Sequence, residues 1–214
     1  MTTYKTDLSQ YITDLFARQD EGLKLAWEDT QRKGLPPINV KAEEGRFLQF
    51  LVRAIAAKRA VEIGTLGGYS GIWIARGLVP GGKLITLEKE PYHAEVAREH
   101  FVAAAVDDRV EVRVGDAHKL LREMQGEGPF DFVFIDAEKP GYEDYFDWAL
   151  ENVRTGGTIA AHNAFRGGSI VGLREDDQYT QGMRNFNRRV AEEPNLISTI
   201  YPAGDGTLIS VKTA

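Results

Sequence analysis

The sequence predicts an α/β fold, in which a mostly parallel β-sheet is covered by helices and ends in an antiparallel hairpin. A short apolar run that ends at Ile63 precedes a glycine-rich turn and the amphipathic run 72–78, the order of a strand–turn–helix unit. Strand-like and helix-like segments then alternate, which is typical of parallel sheets. Two β-like segments flank Gly204-Asp205-Gly206, and this pattern predicts the hairpin.

The elements follow from apolar spacing and from turn residues, taken in chain order. Residues 7–33 predict two helices that are divided at Asp20-Glu21-Gly22, and Leu35-Pro36-Pro37 ends the second. A third helix, 46–57, precedes the first strand, so we expect a single domain over residues 1–214, with a helical cap (1–57) and an α/β core (58–214). The remaining strands are predicted at 83–88, 110–114, 130–135, 158–161, 196–201 and 208–211, and the remaining helices at 92–105, 117–124, 142–152 and 183–190.

The composition is that of an ordinary globular protein, because 43% of the 214 residues are hydrophobic and 27% are charged. A net charge of −6 without a basic stretch argues against a nucleic-acid partner. No apolar run is long enough to span a membrane, and the N-terminal residues lack the apolar segment of a signal peptide. With no cysteine in the sequence, we expect a cytoplasmic protein without a membrane partner.

Acidic residues follow the glycine turn at two successive strand ends. Ligands of open parallel sheets bind at the carboxyl ends of the strands, where Glu88 could accept from ribose hydroxyls and Asp116 from an adenine amine. The turn that begins at Gly64 does not match the dinucleotide pattern G-x-G-x-x-G, because Leu66 stands in place of the second glycine. A tight turn without a ligand is the alternative, but the two acids together favour a nucleotide-like cofactor.

The fourth and fifth strands end in residues that suit metal binding. Asp136 and Asn163 offer oxygen atoms, which hard divalent cations prefer, and His162 stands beside them. Lys139 could take a proton from a substrate if burial or a metal lowered its pKa. Without such an environment, Lys139 is a solvated loop lysine.

Three motifs carry a family resemblance: VEIGTLGGYS at 61–70, IDAEK at 135–139 and HNAFRGG at 162–168, together with Gly204-Asp205-Gly206. In these motifs the chain resembles the cation-dependent, S-adenosylmethionine-dependent O-methyltransferases of the catechol and caffeoyl-CoA type, in their small bacterial form. The resemblance covers residues 40–211. It implies a Rossmann-like class I methyltransferase fold with a seven-stranded sheet. The N-terminal helical cap is expected to form a homodimer, with plain core packing as the alternative.

The resemblance also implies roles for individual residues. S-adenosyl-L-methionine would be bound at Val40, Glu62, Gly64, Tyr69 and Ser70 around its methionine part, at Glu88 on the ribose, at Asp116 and Ala117 on the adenine, and at Asp136. Asp136, His162 and Asn163 would hold a divalent cation, Mg²⁺ in the family, and Lys139 would be the base. The implied reaction is in-line methyl transfer to one of two vicinal hydroxyls of a small aromatic diol, which the cation would hold.

One departure from the family is His162, where the pattern has an aspartate. A neutral imidazole removes a negative charge and offers a nitrogen, which suits zinc, iron, copper or nickel better than magnesium. Three alternatives stay open: a site retuned to a transition metal, a disabled site in an impaired or non-catalytic cofactor-binding protein, and a metal-independent O-methyltransferase that uses His162 or Lys139. A dehydrogenase is the more distant alternative.

The acceptor pocket is predicted from three segments: residues 36–39, the surroundings of Tyr142, and residues 165–179. Three arginines, Arg166, Arg174 and Arg184, could contact an anionic acceptor or be solvated. The other histidines are expected to be structurally ordinary, with His93 and His100 on a surface helix and His118 at the start of the next helix.

Overall fold

A computed structural model describes residues 6–172 and 177–214 of the chain. The helices are α1 (Thr6–Phe16), α2 (Glu21–Arg32), α3 (Ala42–Ala54), α4 (Tyr69–Gly77), α5 (Pro91–Ala103), α6 (Ala117–Glu123), α7 (Tyr142–Asn152) and α8 (Thr180–Glu192). The strands are β1 (Arg59–Ile63), β2 (Lys83–Glu88), β3 (Val110–Val114), β4 (Phe130–Ile135), β5 (Val153–Ala161), β6 (Leu196–Tyr201) and β7 (Thr207–Lys212).

The strands form one seven-stranded sheet in the order β3-β2-β1-β4-β5-β7-β6. The first five are parallel, and β7 pairs antiparallel with both β5 and β6. The predicted fold class, a mostly parallel sheet with an antiparallel C-terminal hairpin, is therefore confirmed.

The register brings the residues after three strands together. Ile63 at the end of β1 pairs with Ile135 of β4, and Ile135 pairs with Ala161 of β5. The backbone ladder extends one residue further, because the N–H of Asp136 donates to Ile63 and that of His162 to Ile135, at 2.9 and 3.0 Å. One edge of the sheet thus collects the strand ends that the sequence marks as polar.

Helices cover both faces of the sheet, as the alternating pattern predicts. Along β4, Phe132 and Phe134 enter the core under α2–α5, while Val133 and Ile135 enter the core under α6–α8. Since successive strand residues point to opposite faces, an uninterrupted apolar strand is one that is buried on both. No helix within residues 6–172 and 177–214 combines the length and the apolar character that crossing a bilayer needs.

Several element boundaries differ from the predictions, and a local cap explains the first difference. Helix α3 begins at Ala42 rather than at residue 46, since the Glu44 carboxylate accepts from the Lys41 N–H at 2.9 Å. Helix α4 begins at Tyr69 rather than at 72, directly after Gly68 in a left-handed conformation. Strand β5 begins at Val153 instead of 158.

The prediction that His100 lies on a surface is wrong. Its side chain is 1% exposed, because α2 packs on α5 and covers it. Nδ1 donates to the carbonyl of Gly67 at 2.7 Å, and Nε2 lies 3.4 Å from Oδ2 of Asp29. His100 therefore ties the glycine turn to the N-terminal helices.

Candidate functional site

A cavity of about 730 Å³ opens at the carboxyl edge of the sheet. This volume lies within the usual range for small-molecule sites. Nine of the predicted site residues line it: Val40, Gly64, Ser70, Glu88, Asp116, Ala117, Asp136, Lys139 and Asn163. Three others lie behind its wall: Glu62, Tyr69 and His162.

The turn after β1 is pressed against the turn after β4. Gly64 has φ +97°, and a Cβ at this position would overlap the carbonyl oxygen of Asp136. Only glycine combines this conformation with so close an approach. Because the turn lies so close to Asp136, the backbone of Gly64 and Thr65 forms part of the cavity wall and is accessible from the cavity.

Glu88 fastens the end of β2 to the same turn. Its Oε2 accepts from the N–H groups of Thr65 and Leu66, at 3.2 and 2.7 Å, and its Oε1 accepts from that of Glu90 at 2.9 Å. A carboxylate has further lone pairs beyond these bonds. Glu88 is therefore a fixed acceptor in the wall, suited to a ligand hydroxyl.

Asp116 marks the opposite end of the cavity. Its Oδ1 accepts from the N–H of Lys119 at 3.1 Å and so caps α6, while Ala117 begins that helix. His118, which we expected to be structurally ordinary, also lines the cavity, and its ring lies 4.7 Å from that of Tyr145. His93 lines it too, 3.6 Å from Glu88.

Glu62 and Tyr69 support the wall from behind. Burial raises the pKa of the Glu62 carboxyl to about 7, although hydrogen bonds from Ser70 and Thr86, at 2.6 and 2.7 Å, oppose the shift. Burial also raises the pKa of Tyr69 to about 12, and its ring packs against Trp27 at 5.2 Å. Glu62 orients Ser70, which itself reaches the cavity.

Lys139 lies in the cavity wall directly before α7. Its Nζ donates to the hydroxyl of Tyr142 at 2.7 Å and to the carbonyl of Ala137 at 3.1 Å, and it lies 3.7 Å from Oδ1 of Asp136. The Tyr142 hydroxyl in turn donates to the carbonyl of His162 at 3.1 Å. Burial lowers the pKa of Lys139, although the Asp136 carboxylate opposes this. A buried amine with a lowered pKa is suited to act as a base.

His162 stands between two carboxylates. Its Nε2 lies 2.9 Å from Oε1 of Glu44, and its Nδ1 lies 3.3 Å from Oδ2 of Asp136, an ion-pair distance without hydrogen-bond alignment. Burial alone would lower the pKa of His162, but the Asp136 and Glu44 carboxylates raise it to about 10. Burial would raise the pKa of Asp136, but His162 and Lys139 hold it below its ordinary value.

The three predicted metal ligands are neighbours, but their surroundings do not fit a divalent cation. Both ring nitrogens of His162 are buried beside carboxylates, and the amide nitrogen of Asn163 donates to Asp205 at 3.1 Å. Across the described parts of the chain, no group of three or more histidine, cysteine, aspartate or glutamate side chains is arranged to hold a metal ion. The metal site remains a prediction from resemblance.

Residues from the described parts of the predicted acceptor segments line two cavities. Pro36, Ile38 and Asn39 line the first one, and a second cavity of about 470 Å³ shares Lys139 and contains Tyr142 and Tyr179 among its lining residues. Of the three arginines, Arg166 lines the first cavity and pairs with Asp177. Arg184 donates to the carbonyls of Ser169 and Ile170 at 2.8 and 3.0 Å, and Arg174 lies outside the described residues.

Sequence reasoning missed two residues of the site. Glu44 looks like an ordinary acid in the first turn of a helix, and nothing in the sequence links it to His162. Tyr142 was placed only near the acceptor, whereas its hydroxyl connects Lys139 with the end of β5. Its position three residues after Lys139, at the start of a helix, is a signal that could have found it.

Comparison with known proteins gives consistent matches over nearly the whole chain. A family model described as O-methyltransferase matches residues 14–213. Catechol O-methyltransferase of Niastella koreensis is 40% identical over 195 residues, which cover 90% of this chain and 88% of the relative. Catechol O-methyltransferase of Mycobacterium tuberculosis is 42% identical over 193 residues, or 90% and 87%. The crystal structure of an O-methyltransferase from Bacillus cereus in complex with SAH has a TM-score of 0.87, 39% identity, and coverage of 97% and 98%.

Proposed function

This chain belongs to the O-methyltransferase family, and we propose that it transfers the methyl group of S-adenosyl-L-methionine to one hydroxyl of a catechol-type aromatic acceptor. The observation that carries the proposal is the position of Lys139, whose buried amine lines the same cavity as the strand-end acids. The relatives named catechol O-methyltransferase support the acceptor class. The neighbour in complex with SAH supports the cofactor.

The residues that line the cavity match the chemical groups of the cofactor. Glu88 would accept from the ribose hydroxyls, because its carboxylate is fixed at the wall and keeps lone pairs beyond its backbone bonds. Asp116 and Ala117 would meet the adenine. Val40, Gly64 and Ser70 would surround the methionine part, with Glu62 orienting the Ser70 hydroxyl. Tyr69 supports this region through packing.

In this proposal the residues of the chain remove the proton of the acceptor hydroxyl and align the acceptor with the methyl donor. When bound, S-adenosyl-L-methionine supplies an electrophilic methyl group on a sulfonium sulfur. The acceptor oxygen takes this methyl group as the proton of the acceptor hydroxyl passes to the neutral amine of Lys139. The electrons of the broken carbon–sulfur bond remain on sulfur. Tyr142 keeps the Lys139 amine in place through its hydroxyl. Holding the two reactants in line supplies much of the acceleration.

The acceptor class is tested with a matched set of phenols. We expect the purified protein to methylate a catechol and to leave a dimethoxybenzene with the same ring unchanged, as measured by mass spectrometry of the products. A monophenol shows whether the second hydroxyl is needed for binding. Tight binding of S-adenosylhomocysteine without methylation of any phenol would contradict an enzymatic role and favour a cofactor-binding protein.

We also propose a homodimer formed through α1. This helix exposes four large apolar side chains, those of Leu8, Tyr11, Leu15 and Phe16. The polar Ser9 and Thr13 bind the Glu43 carboxylate of α3 and attach the helix to the rest of the chain. An apolar patch on a helix that is already docked is typical of a protein–protein interface.

A further inference from the structure

We propose that a bridge of three side chains, the buried Glu44 and His162 and the cavity-lining Asp136, takes the place that the resemblance assigns to a divalent cation, and that methyl transfer by this chain needs no cation. The second half of this inference rests on the function proposed above. The first half does not, because cation binding is measured without any turnover.

The bridge leaves His162 without a nitrogen for a metal. An imidazole has two possible donor atoms. Here Nε2 is hydrogen-bonded to Glu44 at 2.9 Å, and Nδ1 has no exposed surface and lies 3.3 Å from Asp136. The whole side chain is 6% exposed and lies behind the cavity wall. A ligand role would require the ring to leave both carboxylates.

The other two predicted ligands offer a cation only a weak donor set. Oδ2 of Asp136 faces His162, and its Oδ1 lies 3.7 Å from Nζ of Lys139. Asn163 adopts φ +60°, and its amide nitrogen donates to Asp205, which leaves the neutral amide oxygen as its one donor atom for a cation. A cation at this point would therefore meet one carboxylate, shared with His162 and with the Lys139 amine, and one neutral amide, a weaker donor set than divalent cations ordinarily occupy.

Glu44 is built into the bridge from three sides. Its Oε2 accepts from the Lys41 N–H at the start of α3, while its Oε1 holds His162 at the end of β5. Gly204, in the turn between β6 and β7, packs directly on this carboxylate, where any Cβ would overlap it. Three distant segments thus converge on one buried carboxylate, which is 3% exposed as a residue.

The bridge also has a positioning consequence. Lys41 follows Val40, and Val40 lines the cavity. Glu44 fixes the Lys41 backbone, and His162 contacts both Glu44 and Asp136. The bridge therefore connects the cavity wall at Val40 with the cavity wall at Asp136. His162 acts in this way as a positioning residue between two walls of the site.

The decisive experiment is calorimetric titration of Mg²⁺, Mn²⁺ and Zn²⁺ into chelator-treated protein that is saturated with S-adenosylhomocysteine. Wild type is compared with His162→Asp and with the double variant His162→Asp/Glu44→Gln. In the double variant, Glu44→Gln removes the buried carboxylate that would otherwise face the introduced aspartate and repel it. Thermal melting shows which variants fold. His93→Asp is the matched control, since it makes the same substitution at a histidine that lines the cavity away from the bridge.

We expect no cation binding by wild type or by His93→Asp, and stoichiometric binding of Mg²⁺ or Mn²⁺ by at least one folded His162 variant. Wild-type methyl transfer should change by less than about twofold when EDTA is added. Stoichiometric binding of any of the three ions by wild type overturns the inference, and so does the failure of every folded His162 variant to gain binding. If the titrations come out as expected but no phenol is methylated, only the proposed function fails.

Discussion

At the scale of single residues, Lys139 acquires its chemical character from its neighbours. Its amine is largely withdrawn from water, donates to the Tyr142 hydroxyl and lies near Asp136. Burial favours the neutral amine and Asp136 favours the ammonium form, and the net effect is a lowered pKa. Tyr142 stays protonated, because burial raises its pKa well above the ordinary value.

The first prediction concerns the pH dependence of methyl transfer. A base must be neutral to accept a proton, so kcat/KM is expected to rise with pH and to level off with a midpoint below the ordinary lysine range. The Tyr142→Phe variant removes an acceptor for the ammonium form, so its midpoint should lie lower still. Initial rates across pH for both proteins measure this, and a wild-type midpoint typical of an exposed lysine would contradict it.

The second prediction concerns stability and Glu62. Burial raises the pKa of this carboxyl from 4.5 to about 7, so the folded state holds its proton more tightly than the unfolded chain. The associated stability is fully present below pH 4.5 and is lost as the pH rises through about 7. By linkage the loss amounts to roughly 3 kcal/mol.

Glu62→Gln is the matched variant, because it cannot ionise and its side-chain oxygen can still accept a hydrogen bond. Urea denaturation at several pH values should show the free energy of unfolding of wild type falling relative to that of Glu62→Gln between pH 4.5 and 7. A difference that does not change with pH would mean that Glu62 is not protonated in the folded state.

The positions of site residues were predictable where strand ends brought them together. Glu88 ends β2 and Asp136 directly follows β4, so parallel topology alone places both at one edge. Glu44 was not predictable, because its partner His162 lies far along the chain and the contact depends on how α3 approaches β5. His100 was misplaced for a similar reason, since only the tertiary position of α2 buries it.

At the scale of elements, the turn after β1 limits what the site tolerates. Gly64→Ala should destabilise the protein by at least ~1–3 kcal/mol, because φ +97° is strained for alanine and its Cβ would meet the Asp136 carbonyl. It should also weaken binding of S-adenosylhomocysteine, since the turn must move out of the wall.

The matched control is Gly81→Ala, at φ +74° with no atom near its Cβ. Urea denaturation and calorimetric titration of S-adenosylhomocysteine compare the two variants. Gly81→Ala should cost only the conformational strain, about 1 kcal/mol, and leave the affinity unchanged. Equal effects of both substitutions on affinity would show that the close approach at Gly64 is unimportant.

Element positions were predicted better than element boundaries. Apolar patterning located the seven strands of the described sheet, of which five are largely buried, while the edge strands β3 and β6 are half-buried or exposed. The start of α3 was placed four residues late, since the Lys41–Glu44 bond begins the helix before its apolar pattern does. The order of the strands across the sheet could not be obtained from periodicity, because it depends on long-range pairing.

At the scale of the whole molecule, the exposed face of α1 predicts association of two copies. Tyr11→Lys should convert a dimer into a monomer, as measured by light scattering coupled to size-exclusion chromatography, because burying an added charge at an apolar interface is costly. Gln10→Lys, on the same helix but outside the apolar set, is the control and should remain dimeric. A monomeric wild type would contradict the proposed dimer.

The measurement that tests the central claim most directly is a single turnover with S-adenosyl-L-methionine carrying a deuterated methyl group and a catechol acceptor. Wild type is compared with Lys139→Met and with Lys24→Met, a substitution of an exposed lysine on α2. We expect labelled methyl on one phenolic oxygen with wild type and Lys24→Met, and a rate about 10²–10⁴-fold lower with Lys139→Met at unchanged cofactor affinity. Equal rates for all three proteins would remove Lys139 as the base, and the absence of labelled product from wild type would contradict the proposed acceptor.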